Sequence, residues 1–302
     1  MTNSNILKIE NFRGFDKVQL KLDERFTIIG GDNCTGKTNI GIALHYLNHV
    51  LSCNFFNDRD YTSIDKPIII ENEYVKALVN CENGKSLLRV DKKLDNNFIF
   101  SSNFISIDQL AIDIANYLSS NSSEILINWL YEISGINAIS FKEKSPFNYY
   151  ITFHYKNGYS CELRKESDSV IHFLKIYMAF HKHDKQDIVF IDNIDNFVNT
   201  FSLIHIFDLI DISLQQNENL KVIATSNNPY QVLLLEPKLI ENLNFTFCKE
   251  EDANKTMRLV KVLDIEDAKV VIRKEQKNGD HESVARLFID NWMQNTCEFQ
   301  DN

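Results

Sequence analysis

The segment Gly31–Thr38 constrains the fold of this chain more than any other feature. Its sequence, GDNCTGKT, has the form G-x-x-x-x-G-K-[ST] and follows the apolar run Arg25–Ile29. Apolar residues then recur at helical spacing over Thr38–Leu51. A strand, a glycine-rich turn and a helix in this order are typical of a phosphate-binding loop. The pattern therefore predicts an α/β fold in which a buried strand leads into this loop.

The chemistry of a phosphate site explains the spacing within the loop. Successive backbone N–H groups wrap the phosphate oxygens, and the helix that follows adds the positive end of its dipole. In this interpretation Lys37 contacts the terminal phosphates and the Thr38 hydroxyl binds Mg²⁺. A glycine turn with an incidental lysine is the alternative. The predicted ligand is a nucleotide with its magnesium ion.

A second motif supplies an acidic partner for the metal. The four apolar residues Ile188–Ile191 are followed by Asp192 at the end of the predicted strand. Because ligands of open α/β sheets bind at the carboxyl ends of the strands, we expect Asp192 to lie near the loop. Asp192 is thus a candidate magnesium ligand beside Thr38. An aspartate that only caps the next element is the alternative.

Composition narrows the class of protein and its partners. The chain has 32 basic and 42 acidic residues, a net charge of −10, which weighs against nucleic-acid binding through bulk positive charge. No apolar run approaches the roughly 20 residues that span a bilayer. The six cysteines are scattered without a CxxC pair, so the sequence suggests neither a zinc site nor a disulfide framework. We expect a cytoplasmic protein with no membrane partner.

Coarse secondary-structure patterns predict one head domain over residues 1–302. Residues 1–65 and 167–235 would form the phosphate-loop core, and 66–166 an inserted lobe of antiparallel strands and helices. Residues 236–302 would add two edge strands, Phe245–Cys248 and Met257–Val262, and an amphipathic helix over Glu282–Met293. The expected architecture is a mostly parallel core sheet with an antiparallel β subdomain beside it.

The opening strand adds a family resemblance. The segment Ile9–Phe15, IENFRGF, followed by the glycine-rich loop and the late aspartate strand, resembles the RecF/SMC-like branch of ABC-type ATPases. This branch includes the small ATPases related to the overcoming-lysogenization-defect (OLD) proteins. The likeness covers about Asn5–Leu51 and Ser167–Leu235. It implies an ABC/SMC-type head that binds ATP and Mg²⁺ between two subunits, as a dimer or a higher homo-oligomer.

The resemblance assigns roles to residues outside the two motifs. The second subunit of such a dimer contributes a serine-bearing loop at a helix start, and Ser167 occupies the matching place, with Ser169 where the family has glycine. A plain helix N-cap is the alternative. The family's magnesium-sensing glutamine has Gln109 as its candidate here. An exposed glutamine at a helix start is the alternative for that residue.

Three positions depart from the family pattern. Asn193 stands where a glutamate normally activates the attacking water, and an amide cannot accept that proton. Asp195 would substitute only if its turn directs it inward. Asn227 stands where the family has a switch histidine, and Cys34 replaces a common loop glycine. The residues that bind the nucleotide are retained, whereas residues that promote its hydrolysis are replaced. We therefore expect slow or degenerate ATP hydrolysis.

These arguments define the candidate residues. The catalytic candidates are Lys37, Asp192, Asn193 and Asp195. The metal candidates are Thr38, Asp192 and Gln109. The nucleotide-binding candidates are Arg13, Gly31, Asp32, Asn33, Cys34, Thr35, Gly36, Lys37, Thr38, Asn39, Ser167, Ser169 and Asn227.

Three functional hypotheses follow. The first is an ATPase switch acting on an effector or nuclease, by analogy in a phage-defence or genome-maintenance module. The second is a non-hydrolysing, nucleotide-stabilised scaffold that holds an effector protein, which Asn193 and Asn227 favour. The third is a DNA-binding repair ATPase that would use basic patches at Lys92-Lys93, Lys182–Lys185 and Arg273–Lys277. A solvated surface is the alternative for those patches.

Overall fold

A computed structural model describes residues 6–21, 24–31, 35–49, 68–71, 75–82, 85–92, 98–101, 105–181, 186–228, 231, 235, 239, 243–251 and 256–261. The helices are α1 (Lys37–His49), α2 (Ile107–Ser120), α3 (Glu124–Ser134), α4 (Asp168–His181) and α5 (Thr200–Gln216). The strands are β1 (Ile6–Phe12), β2 (Phe15–Lys21), β3 (Phe26–Gly30), β4 (Ile68–Glu71), β5 (Val75–Glu82), β6 (Lys85–Lys92), β7 (Phe98–Ser101), β8 (Ile136–Ser145), β9 (Asn148–Tyr155), β10 (Ser160–Glu162), β11 (Gln186–Ile191), β12 (Lys221–Thr225), β13 (Leu243–Glu251) and β14 (Thr256–Lys261).

Within these residues, eleven strands form one sheet in the order β6-β5-β4-β1-β2-β14-β13-β3-β12-β11-β7. Its section β13-β3-β12-β11-β7 is parallel throughout. Strands β4, β5 and β6 pair antiparallel and extend the same sheet beyond β1. A second, three-stranded sheet has the order β10-β9-β8. The predicted combination of a mostly parallel core, antiparallel strands and helices is confirmed.

The parallel strands are apolar because both of their faces are covered. In β11, Val189 and Ile191 point into a core shared with α2, α3, α4 and α5, whereas Ile188 and Phe190 point into a core shared with α1. The same alternation divides Ile28 from Ile29 in β3. Each strand that ends at the candidate site is therefore fixed by two cores at once.

Helix α1 approaches β11 at a glycine. A Cβ atom at Gly41 would lie only 2.1 Å from the Phe190 ring, closer than two carbon atoms can approach. The absence of a side chain at this position lets the helix after the phosphate loop pack directly over the strand that ends at Asp192. Gly41 thus has a packing role.

Two features of the fold differ from the sequence predictions. Strands β13 and β14 are not edge strands: β13 lies between β3 and β14, and β14 reaches β2 where Met257 faces Phe15. Edge position depends on which distant strands pair, and the local pattern does not encode that. Strand β8 was not predicted, because its outer half is exposed on both faces and shows no polar–apolar alternation.

Other predictions have different outcomes. Gly135 ends α3 with a left-handed φ of 78°, as expected for a glycine at a helix end. The predicted helix Glu282–Met293 lies outside the described residues. No helix in the described part of the chain has the length and apolar character to cross a membrane.

Candidate nucleotide-binding site

The candidate site lies at the carboxyl ends of three neighbouring parallel strands. Strand β12 pairs with β3 on one side and with β11 on the other. The glycine-rich loop follows β3, and Asp192 follows β11. Thr225, the last residue of β12, lies between them. Strand order therefore brings together groups that are more than 150 residues apart in the sequence.

The loop surrounds the Lys37 side chain with oxygen atoms. Gly31 and Gly36 have φ values of 138° and 89°, in the region that favours glycine. Lys37 is buried, and its Nζ donates to the Gly31 carbonyl at 2.8 Å and to the Thr35 hydroxyl at 3.5 Å. The ammonium group thus lies against the loop and not in solvent. The candidates Asp32, Asn33 and Cys34 lie outside the described residues.

Thr38 and Asp192 meet across the site. The Thr38 hydroxyl lies 3.1 Å from Oδ1 and 3.0 Å from Oδ2 of Asp192. The Thr225 hydroxyl donates to Asp192 Oδ1 at 2.7 Å and accepts a hydrogen bond from the Asn193 backbone N–H at 2.7 Å. The carboxylate is buried, and the threonines at the end of β12 and the start of α1 fix its position.

The donor set fits a magnesium ion that is shared with phosphates. A hydroxyl and a carboxylate are hard oxygen ligands, and Mg²⁺ at nucleotide sites takes one or two such protein ligands besides phosphates and water. Among the described residues, no cluster of three or more His, Cys, Asp or Glu side chains is arranged to hold a metal ion. Thr38 and Asp192 would hold the ion, and this role remains a prediction.

The β1–β2 turn lies beside the start of α1. Arg13 and Gly14 both have positive φ, 45° and 91°, which is the geometry of a tight two-residue hairpin turn. The Asn39 side-chain amide donates to the Arg13 carbonyl at 2.8 Å, and the Arg13 guanidinium lies 5.6 Å from the centre of the Phe12 ring. The opening strand and the loop helix are therefore connected. Nucleotide contacts of Arg13 and Asn39 remain predictions.

Asp195 is half-buried in the turn after β11. Ser226, the Asn227 backbone and the charge of Lys37 favour its ionised form. Burial nevertheless raises the pKa of Asp195, because desolvation outweighs these favourable contacts. The role of Asp195 as a substitute for the absent glutamate remains a prediction.

The remaining candidates have other hydrogen-bond partners. The Gln109 side-chain amide donates to Asp113 at 2.9 Å, within its own helix α2. The hydroxyls of Ser167 and Ser169 are 3.2 Å apart at the start of α4, in an exposed position. Neither set has a hydrogen bond to Lys37, Thr38 or Asp192 among the contacts of the described residues. Asn227 has an exposed side chain, while its backbone contacts Asp195.

The contacts of two residues near the site were not predicted from the sequence. Thr225 ends an apolar run, and only the order of the strands shows that it bridges to Asp192. His172 is buried in α4, and its Nε2 donates to the Ile194 carbonyl at 3.3 Å, behind the turn. Burial lowers the pKa of His172 and so favours the neutral ring. Its position on an apolar helix face gave no functional signal.

Sequence comparison gives relatives for part of the chain. The DNA replication and repair protein RecF of Clostridium botulinum is 29% identical over 119 residues, which are 39% of this chain and 30% of that protein. RecF of Clostridium beijerinckii is 36% identical over 100 residues, 32% of this chain and 23% of that protein. The chain thus spans less than a third of the length of the curated relatives that it matches. No family model matches the chain.

Structure comparison extends the likeness to most of the chain. An SMC head bound to the C-terminal winged-helix domain of ScpA aligns with a TM-score of 0.57 at 14% identity, covering 85% of this chain and 96% of that one. The Pyrococcus furiosus SMC head with an extended coiled coil, bound to the C-terminal domain of ScpA, also aligns with a TM-score of 0.57, at 12% identity, covering 90% and 99%. The chain thus has the fold of an SMC head, and part of its sequence is similar to RecF.

Proposed function

We propose that this chain binds ATP with Mg²⁺ and acts as a nucleotide-dependent switch that hydrolyses ATP slowly. The observation that supports this proposal is the contact of the Thr38 hydroxyl with both carboxylate oxygens of Asp192, at 3.0 and 3.1 Å, next to the buried Lys37. Together with the amino terminus of α1, these groups match the charges of a polyphosphate and its metal ion.

Each side chain has a separate task in this proposal. Lys37 neutralises charge on the terminal phosphates. Thr38 and Asp192 hold Mg²⁺, which when bound withdraws charge from the phosphate oxygens. Thr225 keeps the Asp192 carboxylate facing Thr38. Positioning and charge neutralisation account for most of phosphoryl-transfer catalysis, so hydrolysis can continue at a low rate without a glutamate at position 193.

The experiment that tests the proposal separates binding from turnover. ATP affinity is measured by calorimetry with and without Mg²⁺, and phosphate release is followed over hours. We expect magnesium-dependent binding and slow release of phosphate. Binding without any release would support the scaffold hypothesis, which Asn193 and Asn227 favour. Absence of ATP binding would overturn both.

Assembly around the nucleotide is part of the proposal. Ser167 is exposed and Ser169 half-buried at the start of a helix, where backbone N–H groups and hydroxyls suit a phosphate. We propose that they contact the nucleotide of a second copy in a dimer or higher oligomer. The mass of the particle, measured by light scattering with and without ATP and Mg²⁺, is expected to increase on nucleotide addition. A constant monomer mass would contradict assembly.

The biological role is proposed by analogy. We place the switch in the cytoplasm, in an OLD-related phage-defence module with an effector or nuclease as partner. Proteins that co-purify with the tagged chain from its natural host, identified by mass spectrometry, test this assignment. A nuclease or toxin-like partner would support it, and recovery of DNA repair proteins would contradict it.

The RecF likeness favours a second candidate, a DNA repair ATPase. The net charge of −10 weighs against it. The basic patches proposed from the sequence lie outside the described residues, except the backbone of Lys92. DNA affinity measured at two salt concentrations distinguishes the candidates, because contacts to phosphate weaken as salt increases.

A further inference from the structure

Helices α3 and α5 lie beside each other at the surface of the protein. The Trp129 ring of α3 and the His205 ring of α5 meet edge to face, with 5.9 Å between their centres and an interplanar angle of 80°. Residues three, four and seven positions apart share one face of a helix. The faces that pass through this contact form a surface, here called the α3–α5 strip, which consists of Ile125, Trp129 and Glu132 on α3 and Phe201, His205, Asp208 and Ile212 on α5.

The strip exposes large apolar side chains. Phe201 is 78% exposed, Ile125 58% and Ile212 42%. Both helices also have buried residues on other faces, such as Leu130 and Ile206, so packing of the core does not require these three side chains. Phe201 and Ile212 are about 16 Å apart along the helix axis, which is three helical turns. Exposed apolar side chains beside polar ones are typical of a surface that contacts another protein.

The charge of the two helices restricts the partner. Neither α3 nor α5 contains a lysine or an arginine. Their acidic residues are Glu124, Glu132, Asp208 and Asp211. Such a surface repels the phosphates of nucleic acids and anionic lipids. A symmetric contact with a second copy would bring the same carboxylates together. The charge therefore favours a basic protein as the partner.

We propose that the α3–α5 strip is the docking surface for a partner protein that presents a basic amphipathic helix. The apolar face of that helix would cover Phe201 and Ile212. Its lysine or arginine side chains would lie opposite Glu132 and Asp208. Recognition of an amphipathic helix uses apolar anchors one or two turns apart, and complementary charges favour the correct partner. The proposal goes beyond the proposed ATPase function and does not depend on it.

The test uses a synthetic helical peptide of about 18 residues, five turns, with leucine on one face and lysine on the other. The chain has two tryptophans, so Trp292→Phe leaves Trp129 as the single reporter within the strip. We expect the peptide to shift the Trp129 emission to shorter wavelength, because the bound helix excludes water from the indole ring. A labelled peptide gives the affinity for the unmodified protein by fluorescence anisotropy.

Two control peptides test the chemistry of the partner. A peptide of the same composition in scrambled order has no apolar face, and a peptide with glutamate in place of lysine has the wrong charge. Both are expected to bind at least tenfold more weakly than the amphipathic lysine peptide.

Matched substitutions locate the binding site. Phe201→Ser removes an apolar anchor and is expected to weaken peptide binding at least tenfold. Glu132→Lys reverses a charge in the strip and is expected to weaken it at least fivefold. Glu143→Lys makes the same change at an exposed position of β8 and should stay within about twofold of wild type. Circular dichroism checks that each variant is folded, and Ile212→Ser takes the place of Phe201→Ser if that variant does not fold.

Several outcomes would overturn the proposal. They are absence of peptide binding, equal binding of the scrambled peptide, and binding that leaves the Trp129 emission unchanged. Equal losses in Glu132→Lys and Glu143→Lys would show that the peptide responds only to net charge. Self-association without peptide that is lost in Phe201→Ser would assign the strip to a second copy of the chain instead. None of these measurements involves ATP, so their outcome is separate from that of the proposed ATPase function.

Discussion

The Thr38–Asp192 site and the start of α4 both present hydroxyl groups, but they are built differently. Thr38, Asp192 and Thr225 come from three elements, and hydrogen bonds of 2.7–3.1 Å join them. Ser167 and Ser169 come from one turn, and their hydroxyls bond to each other in an exposed position. The first group is organised before any ligand arrives. The second is available to another molecule.

The largest expected effect concerns the Thr38–Asp192 site. Lys37→Ala removes a charge-assisted contact to phosphate worth about 1.5–3 kcal/mol, so ATP affinity should fall at least tenfold. Calorimetric titration measures the loss, and Lys156→Ala, which removes an exposed lysine from the turn after β9, is the matched control. Unchanged affinity would show that the loop does not bind phosphate.

A packing change tests how closely the site depends on α1. Gly41→Ala forces a methyl group against the Phe190 ring and should lower the free energy of unfolding by about 1–3 kcal/mol. Denaturant unfolding monitored by circular dichroism measures it. Adding Phe190→Leu should recover part of the loss by making room. A neutral Gly41→Ala would mean that helix and strand are not in close contact.

Thr225→Val probes the bridge between the strands. The isosteric change removes the hydrogen bond to Asp192, worth about 1 kcal/mol, so the magnesium-dependent part of ATP affinity should weaken about fivefold. Titrating Mg²⁺ at fixed ATP isolates this part, and affinity without Mg²⁺ serves as the internal reference. An identical Mg²⁺ dependence in the variant would remove Thr225 from the site.

The smallest effect on ATP affinity is expected at the start of α4. Replacing both Ser167 and Ser169 by alanine should leave the ATP affinity of the isolated chain within about twofold, while assembly on ATP addition is lost. Affinity is measured at nanomolar protein concentration and mass at micromolar. A large loss of affinity in the dilute chain would mean that the serines act within their own subunit, and the contrast drawn above would fail.

The sequence predicted the parts of the site that are local. The strand before the glycine-rich loop, the helix after it and the strand before Asp192 each follow a continuous pattern, and all three occur where expected. Thr225 was missed because its role depends on β12 lying between β3 and β11, which is a matter of strand order. The turn after β11 contains two left-handed residues that are not glycine, Asn193 and Phe197, and composition gives no sign of them.

The same distinction between local patterns and long-range strand pairing applies to the fold. Helices with regular apolar spacing were predicted within a few residues of their bounds. The position of β13 and β14 in the middle of the sheet was wrong because pairing with β3 and β2 connects distant parts of the chain. Strand β8 was missed because exposed residues on both faces remove the alternation on which such predictions depend.

The division of β11 between two cores has a mechanical consequence. Phe190 packs against the layer that contains α1. Its neighbour Ile191 packs against the layer that contains α2, α3, α4 and α5. Close-packed interiors transmit strain, so a displacement of either layer moves the strand that ends at Asp192. A partner protein that displaces one layer and a nucleotide that displaces the other would therefore both move β11. Their binding would be coupled through this single strand.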